Sequence, residues 1–213
     1  MTTIIAVFGA SGHTGKPFTE LALKNGYEVK ALVRTPSKLG IQHPALHILQ
    51  GDVLDPAKVE ETIAGTDAVV DILGPAPNSP GDFRRTAGQH ILHAMQKHNV
   101  KRLLALASLP LGVVDSKDQL NFGLRLKMFF AKALLGKMAE DARQHASLIT
   151  NSAMDWTVVR APALVQQPAQ GKYRVGFVGS DLGSSITNPD VAAFLLDELR
   201  NAKYIRQMPL VSN

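Results

Sequence analysis

Three glycines in the stretch VFGASGHTG have the spacing of a turn that binds phosphate. Gly9, Gly12 and Gly15 follow a short apolar run, and a helical pattern begins directly after them. The N–H groups of a first helical turn point outwards, and the helix dipole favours an anion there. We expect Gly9 to turn the chain, Gly12 to let the backbone approach a pyrophosphate, and Gly15 to allow close packing of helix on strand.

The same turn carries the polar residues Ser11, His13 and Thr14. The hydroxyl of Ser11 or of Thr14 can add a hydrogen-bond donor to the predicted phosphate site. An ordinary glycine turn and the P-loop of a nucleotide triphosphatase are the alternatives. A P-loop requires a glycine and a hydroxyl residue where this chain has Ala10 and Pro17. We therefore exclude the P-loop and expect a dinucleotide-binding turn.

The second predicted strand ends in a positive charge. In dinucleotide-binding units, a carboxylate about twenty residues past the glycines holds the ribose 2′-OH. Here Arg34 stands near that place, and Lys38 follows four residues later. A guanidinium can bind a 2′-phosphate through two hydrogen bonds, whereas a carboxylate would repel it. The pattern favours NADPH as the cofactor, and the alternative is a pair of solvated surface charges.

Apolar runs predict the strands that would position these residues. The runs are Ile4 to Phe8, Val29 to Val33, Leu46 to Leu49, Ala68 to Leu73, Leu103 to Ala107 and Trp156 to Val159. They alternate with helical patterns, which predicts a doubly wound α/β Rossmann fold with a mainly parallel sheet and a switch point between the first and fourth strands. We expect residues 1–213 to form a single domain, with a small C-terminal portion on the substrate side.

Further candidate residues follow the carboxyl ends of the later strands. Asp52 and Val53 come after the third strand, Leu73 and Gly74 close the fourth, and Ser108 closes the fifth. An open α/β sheet binds its ligand at these ends. We therefore expect the candidate residues to line one site.

Composition restricts the class of protein. The chain has no cysteine, which excludes thiol catalysis, cysteine-bound metals and disulfides and fits a cytoplasmic protein. The net charge of +5 favours anionic partners, but no basic cluster with interleaved aromatics indicates nucleic acid. We see neither a membrane span nor a signal peptide. His90 and His93 have a spacing that metal sites use, but without an evident third ligand we expect no metal.

The motif GASGHTG resembles the GxxGxxG fingerprint of the atypical short-chain dehydrogenase/reductase group. From Thr3 to about Lys203 the chain is similar to the small NAD(P)H-binding proteins that include the NmrA-like proteins and the biliverdin-IXβ and flavin reductases. The resemblance implies that Asp52 lies beside the adenine ring and that Ser108 lies near the nicotinamide and the substrate.

The resemblance extends to the end of the sixth predicted strand. The family's strand ends in Arg-Pro, whereas this chain reads Arg160-Ala161-Pro162. The resemblance implies that Pro162 and Ala163 form a wall of the nicotinamide pocket. Two interpretations of Arg160 stay open, which are contact with a phosphate and a structural ion pair.

The Tyr-x-x-x-Lys pair that many short-chain dehydrogenases use is absent. The residues four positions after Tyr27, Tyr173 and Tyr204 are Ala31, Phe177 and Met208. Alcohol or ketone chemistry by that route is therefore not expected. A serine hydroxyl is a poor acid, so Ser108, the one candidate catalytic residue, would orient the substrate or relay a proton from water.

These observations favour an NADPH-dependent reductase, monomeric or homodimeric. Its partner would be a small-molecule acceptor, a flavin or a similar flat conjugated molecule such as a quinone or a bilin, because hydride transfer to such rings needs alignment more than acid catalysis. An NADP-binding redox sensor of NmrA-like type, without turnover, is the alternative. An isomerase or epimerase with a trapped cofactor is disfavoured by the missing tyrosine–lysine pair.

The segment Leu120 to Leu135 is rich in phenylalanine, methionine and basic residues. Its charges do not segregate to one helical face, which argues against a helix on a membrane surface. A cover over the acceptor pocket and a subunit interface are the two interpretations, and we favour the cover. A separate helix is predicted from Glu140 to Ile149.

Overall fold

Strand β1 (Ile4–Phe8) lies inside a twisted sheet and is buried on both faces. The computed structural model describes residues 2–74 and 79–213, except for the side chains of residues 124, 127 and 131–133. Within these residues the main sheet has eight strands in the order β3-β2-β1-β4-β5-β6-β10-β8. The further strands are β2 (Glu28–Val33), β3 (Leu46–Gln50), β4 (Ala68–Asp71), β5 (Arg102–Ser108), β6 (Asp155–Ala161), β8 (Arg174–Gly176) and β10 (Leu210–Ser212). All neighbouring strands are parallel except β10 and β8.

Helices cover both faces of this sheet. They are α1 (Gly15–Lys24), α2 (Pro56–Ile63), α3 (Phe83–Lys97), α4 (Phe122–Thr150) and α5 (Asn188–Asn201). One apolar core lies between the sheet and α1 and α5, and a second lies between the sheet and α2, α3 and the end of α4. Because both faces are covered, the parallel strands read as nearly continuous apolar runs. The doubly wound α/β fold predicted from the sequence is confirmed.

Strand order reverses between β1 and β4, which are direct neighbours. The chain passes from β1 to β2 and β3 on one side and then returns to β4 on the other side. A crevice opens where the connections leave in opposite directions from the carboxyl ends of these strands. The switch point is therefore where the sequence predicted it.

The structure differs from the sequence prediction in three places. Helix α4 consists of two helical parts joined by a kink at Leu135, whose backbone is not helical (φ −112°, ψ 22°), so the second part begins before Glu140, where the sequence predicted its start. Short pairing strands β7 (Leu164–Val165) and β9 (Ile186–Thr187), as well as β10, were not predicted. Strand β4 ends at Asp71 instead of the predicted Leu73, and residues 75–78, which lie in the stretch from Pro75 to Gly81 that three prolines and a glycine predict to be a loop, are outside the described residues.

Candidate functional site

A cavity of about 620 Å³ lies at the carboxyl ends of the strands around the switch point. The predicted site residues that line it are Gly9, Ser11, Gly12, His13, Thr14, Arg34, Lys38, Asp52, Val53, Leu73, Gly74 and Ser108. The structure thus brings together residues that follow five different strands. Gly15, Pro162 and Ala163 are not among the lining residues.

The glycine turn between β1 and α1 is too tight for other residues. Gly9 has φ +89°, and a Cβ there would lie 2.5 Å from Ile72 O at the end of β4. A Cβ at Gly15 would lie 2.0 Å from Gly9 O, so Gly15 acts by letting the helix start against the turn rather than by lining the cavity. Gly12 N donates a 2.9 Å hydrogen bond to Gly9 O, and a side chain at Gly12 would stand 3.2 Å from that oxygen.

The N-terminus of α1 is uncapped among the described residues. The side chains of Asp55, Thr187 and Asp141 accept hydrogen bonds from the first amides of α2, α5 and α3. The Thr14 hydroxyl instead donates to Asn188 Oδ1 at 2.7 Å, a buried link to the first residue of α5. In the first turn of α1, Lys16 N donates to Gly12 O at 3.0 Å and Phe18 N donates to Thr14 O at 3.1 Å, and Pro17 has no N–H, so Gly15 N is the amide of this turn left without an acceptor among the described residues. Together with the glycine turn, this arrangement fits a pyrophosphate, with the Gly15 amide as a donor.

This link corrects one expectation about the turn. Thr14 was one of two candidate hydroxyl donors to phosphate, but its proton is already used in the hydrogen bond to Asn188. Ser11 is exposed and lines the cavity. Ser11 is therefore the hydroxyl that remains available to an anion.

Two positive side chains and one carboxylate line the end of the cavity beside β2 and β3. Arg34 and Lys38 are exposed there. Asp52 Oδ1 accepts a 2.9 Å hydrogen bond from Leu54 N, which fixes the turn after β3. His90 Nδ1 lies 3.1 Å from Val53 O, so this histidine packs against that turn. This end can hold a phosphorylated ribose and a flat base.

At the other end, beside β5 and β6, the lining departs from the expectation. Ser108 is half-buried and lines the cavity as predicted. Pro162 and Ala163 only connect β6 to β7, and the wall is formed by Leu164 and Gln166 instead. The physical reason is that β7 leaves the main sheet to pair with β9, which carries the next residues over the cavity.

Sequence analysis did not identify Arg84, which also lines the cavity. Burial lowers the pKa of its guanidinium, and the negative charges of Asp141 and Asp71 oppose that shift. An arginine at the start of α3 gives no signal in the sequence, because its burial depends on α4 packing against α3.

A buried histidine–carboxylate pair supports the end of β4. His145 Nε2 lies 2.9 Å from Asp71 Oδ2, and both side chains are buried. Asp71 Oδ1 accepts a 3.1 Å hydrogen bond from Leu73 N, which holds the segment that lines the cavity. A Cβ at Gly88 would lie 2.6 Å from the His145 ring, so this glycine makes room for the pair. The partners are 74 residues apart in the chain, and no local pattern predicts them.

Arg160 forms a structural ion pair, which decides between its two interpretations. The side chains of Arg160 and Asp118 are 0% and 1% exposed. Both terminal nitrogens of Arg160 donate hydrogen bonds to the Asp118 carboxylate. Its Nε donates a 2.7 Å hydrogen bond to Met208 O. Burial would raise the pKa of the Asp118 carboxyl, but hydrogen bonds from Arg160 and from two backbone amides hold it below its usual value.

No described side chain of the segment Leu120 to Leu135 lines the cavity. Phe122, Phe129 and Phe130 are 80%, 66% and 61% exposed. The structure therefore gives no support to a cover over the site and leaves an exposed apolar face on α4. In the described part of the chain, no helix is long and apolar enough to cross a membrane, and no group of three acidic or histidine side chains is arranged to hold a metal ion.

Comparisons with known proteins agree with this geometry. Residues 9–202 match the model of a family described as NAD(P)H-binding. The uncharacterized protein YwnB of Bacillus subtilis is 29% identical over 207 residues, covering 94% of this chain and 93% of YwnB. The oxidoreductase YlbE of Lactococcus lactis has a similar fold, with a TM-score of 0.80 at 17% identity over 99% of this chain and 91% of that one.

A second solved structure has a similar fold with a ligand. It is a short-chain dehydrogenase/reductase from Veillonella parvula in complex with NADP, with a TM-score of 0.78 at 18% identity over 100% of this chain and 95% of that one. Likeness at this level of identity concerns the fold alone. Since the family model spans most of the sequence, the chain belongs to the NAD(P)H-binding family.

Proposed function

We propose that this protein is an NADPH-dependent reductase that transfers hydride to a flavin or a similar flat conjugated acceptor, such as a quinone or a bilin. The observation that carries the proposal is the set of residues that line one cavity. It runs from Arg34 and Lys38 past the glycine turn to Ser108. A dinucleotide would lie along this line, with its adenosine at the basic end and its nicotinamide at the serine end.

The proposed preference for NADPH rests on charge. Arg34 and Lys38 line the cavity at the end of β2, where NAD-binding units carry a carboxylate for the ribose 2′-OH. The Asp52 carboxylate belongs to the next strand and accepts the backbone amide of Leu54. Two cations can bind a 2′-phosphate, and one of them can do so through two hydrogen bonds. The NADP complex of the Veillonella parvula structure supports this choice.

The proposed chemistry needs little from the protein beyond positioning. A bound NADPH would supply one hydride to the flavin and become NADP⁺, and the flavin would take its second hydrogen as a proton from water. Tyr27, Tyr173 and Tyr204 are absent from the described lining of the cavity, so no tyrosine there acts as an acid. Ser108 orients the acceptor or passes the proton, while Leu106 and Leu164 line its surroundings with apolar surface.

Steady-state turnover tests the proposal. Purified protein, NADPH and excess flavin are mixed without oxygen, and the flavin's visible absorbance is followed. We expect many flavin molecules to be reduced per protein molecule, and slower reaction with NADH. Tight NADPH binding without turnover on flavin, quinone or bilin would contradict the reductase and favour the redox sensor.

A further inference from the structure

The side chain of Arg84 is half-buried, and one buried atom of its guanidinium is unpaired. Its Nη1 atom has no hydrogen-bond partner among the described residues. The other buried side-chain atoms without a partner there are Thr19 Oγ1, Arg85 Nε and Arg102 Nε, and none of these three residues lines the cavity. Leaving such a charged donor unsatisfied is costly. An unpaired buried donor on a side chain that lines a cavity calls for a partner, and the cavity is the place where one can bind.

The two carboxylates whose charges act on Arg84, those of Asp141 and Asp71, already accept hydrogen bonds from other groups. The oxygens of Asp141 accept from the backbone amides of Arg84 and Arg85 at 3.0 and 2.9 Å. The oxygens of Asp71 accept from Leu73 N and face His145 Nε2. In the described part of the chain, neither carboxylate forms an ion pair with the Arg84 guanidinium.

A second arginine, which is buried, shows what full pairing looks like in this fold. Arg160 has Asp118 and the carbonyl oxygens of Met208 and Val113 around its guanidinium. It does not line the cavity. The fold thus pairs the arginine that supports the structure and leaves a donor of Arg84 unpaired in the wall of the site.

The position of Arg84 assigns it to the serine end of the cavity, the end beside Ser108, Leu164 and Gln166, which is the acceptor end in the proposed reaction. Arg84 lies in the first turn of α3, which follows β4, and Ser108 ends the adjacent strand β5. Arg34 follows β2, on the opposite side of β1. The two arginines therefore follow strands on opposite sides of β1, which are two strand spacings or about 10 Å apart.

We propose that Arg84 binds an anionic group of the acceptor, a phosphate or a carboxylate, and so makes the reductase prefer acidic acceptors to neutral ones. This inference rests on the proposed reductase function. The second source of an anion is the cofactor's own pyrophosphate at the neighbouring glycine turn. The experiment therefore measures the acceptor and the cofactor separately.

Two flavins that differ only by a phosphate provide the test. FMN and riboflavin share the isoalloxazine ring, but only FMN carries the charge. Binding of each to the protein–NADP⁺ complex is measured by quenching of flavin fluorescence, which needs no turnover. We expect FMN to bind about tenfold or more tightly than riboflavin, as for hydrogen bonds to charged groups, and this ratio to fall towards one in Arg84→Met.

Arg85→Met is the matched control. It removes the same charge from the same helical turn, but Arg85 pairs with Asp82 through Nη2 at 2.9 Å and does not line the cavity. We expect it to keep the FMN preference. Thermal unfolding of both variants checks that each of them still folds.

Three results would overturn the proposal. One is an unchanged FMN-to-riboflavin ratio in Arg84→Met, and another is an equal loss of that ratio in Arg85→Met. The third is weaker NADP⁺ binding with the ratio kept, which would assign Arg84 to the cofactor's pyrophosphate. If neither flavin binds, the proposed flavin reductase fails. Inorganic phosphate is then titrated into the wild type and into Arg84→Met by calorimetry, which tests the anion site at Arg84 independently of any flavin. Equal heats in wild type and Arg84→Met would then contradict the anion site.

Discussion

The two ends of the cavity have different origins in the sequence. At the basic end, the glycine turn, Arg34 and Asp52 come from the first three strands and the turns directly after them. At the acceptor end, Ser108, Arg84 and Gln166 come from β5, from α3 and from the segment after β7. Long-range packing against α4 shapes the surroundings of Arg84, through Asp141.

This difference separates what a dinucleotide needs from what an acceptor needs. A phosphate is bound by backbone amides and a helix dipole, which a short motif fully specifies. An acceptor is bound by side chains that meet only after the fold has formed. The basic end can therefore stay the same while the acceptor end varies from one protein to another.

The largest expected effect is on the buried ion pair between Arg160 and Asp118. Asp118→Asn leaves the buried Arg160 without its counter-charge, so we expect the free energy of unfolding to fall by about 3–5 kcal/mol. Because the folded-state pKa of Asp118 is depressed, the pair's stabilisation is complete above the usual carboxyl value of 3.8 and is lost as the pH falls below it. Urea unfolding at several pH values measures both effects.

A surface ion pair provides the control for this change. Asp181, whose side chain is 97% exposed, lies 3.3 Å from Arg174. Asp181→Asn should leave the unfolding midpoint nearly unchanged. Equal midpoint shifts in Asp118→Asn and Asp181→Asn would contradict the structural role of the buried pair.

The next effect is on the basic end. Arg34→Ala should weaken NADPH binding by about 1.5–3 kcal/mol and leave NADH binding little changed, because only NADPH carries the 2′-phosphate. Calorimetric titration with both cofactors measures the difference. Arg200→Ala, which removes an exposed charge that bonds to Asn25, is the control. Equal affinities for NADPH and NADH in the unaltered protein would refute the assignment.

At the acceptor end, Ser108→Ala should lower turnover with flavin by about tenfold to a hundredfold, as for a positioning or relay group. Binding of NADPH should stay nearly intact, since the cofactor's phosphates are expected at the other end. Pre-steady-state reduction and cofactor titration separate the two quantities. Ser116→Ala, at an exposed serine, is the control. A sharp rise in the NADPH dissociation constant would show that Ser108 holds the cofactor instead.

The smallest effect is expected at the exposed face of α4. Changing Phe129 and Phe130 together to serine should alter neither NADPH binding nor the KM for the acceptor, because neither residue lines the cavity. Molecular mass by light scattering, measured on the same sample, tests the interface interpretation. Weaker acceptor binding at unchanged mass would restore the cover that the sequence suggested. A lower mass would identify an association surface.

The sequence predicted the basic end closely and the acceptor end only in part. Gly12 and Arg34 are recognisable because their roles depend on neighbours within a few residues. Arg84 is not, because the carboxylate that binds its backbone amide belongs to Asp141, 57 residues later. The kink at Leu135 does have a local signal, because Gly136 follows it and glycine weakens the interior of a helix. Packing between distant segments sets the surroundings of Arg84.

The most direct test of this account is a crystal structure with NADP⁺ bound. We predict the 2′-phosphate between Arg34 and Lys38, the pyrophosphate over the amides of the glycine turn, and the nicotinamide beside Ser108. Arg84 should face the open side of the nicotinamide, where an acceptor would lie. A cofactor bound in the opposite direction, or with its pyrophosphate on Arg84, would contradict the division of the cavity into a basic end and an acceptor end.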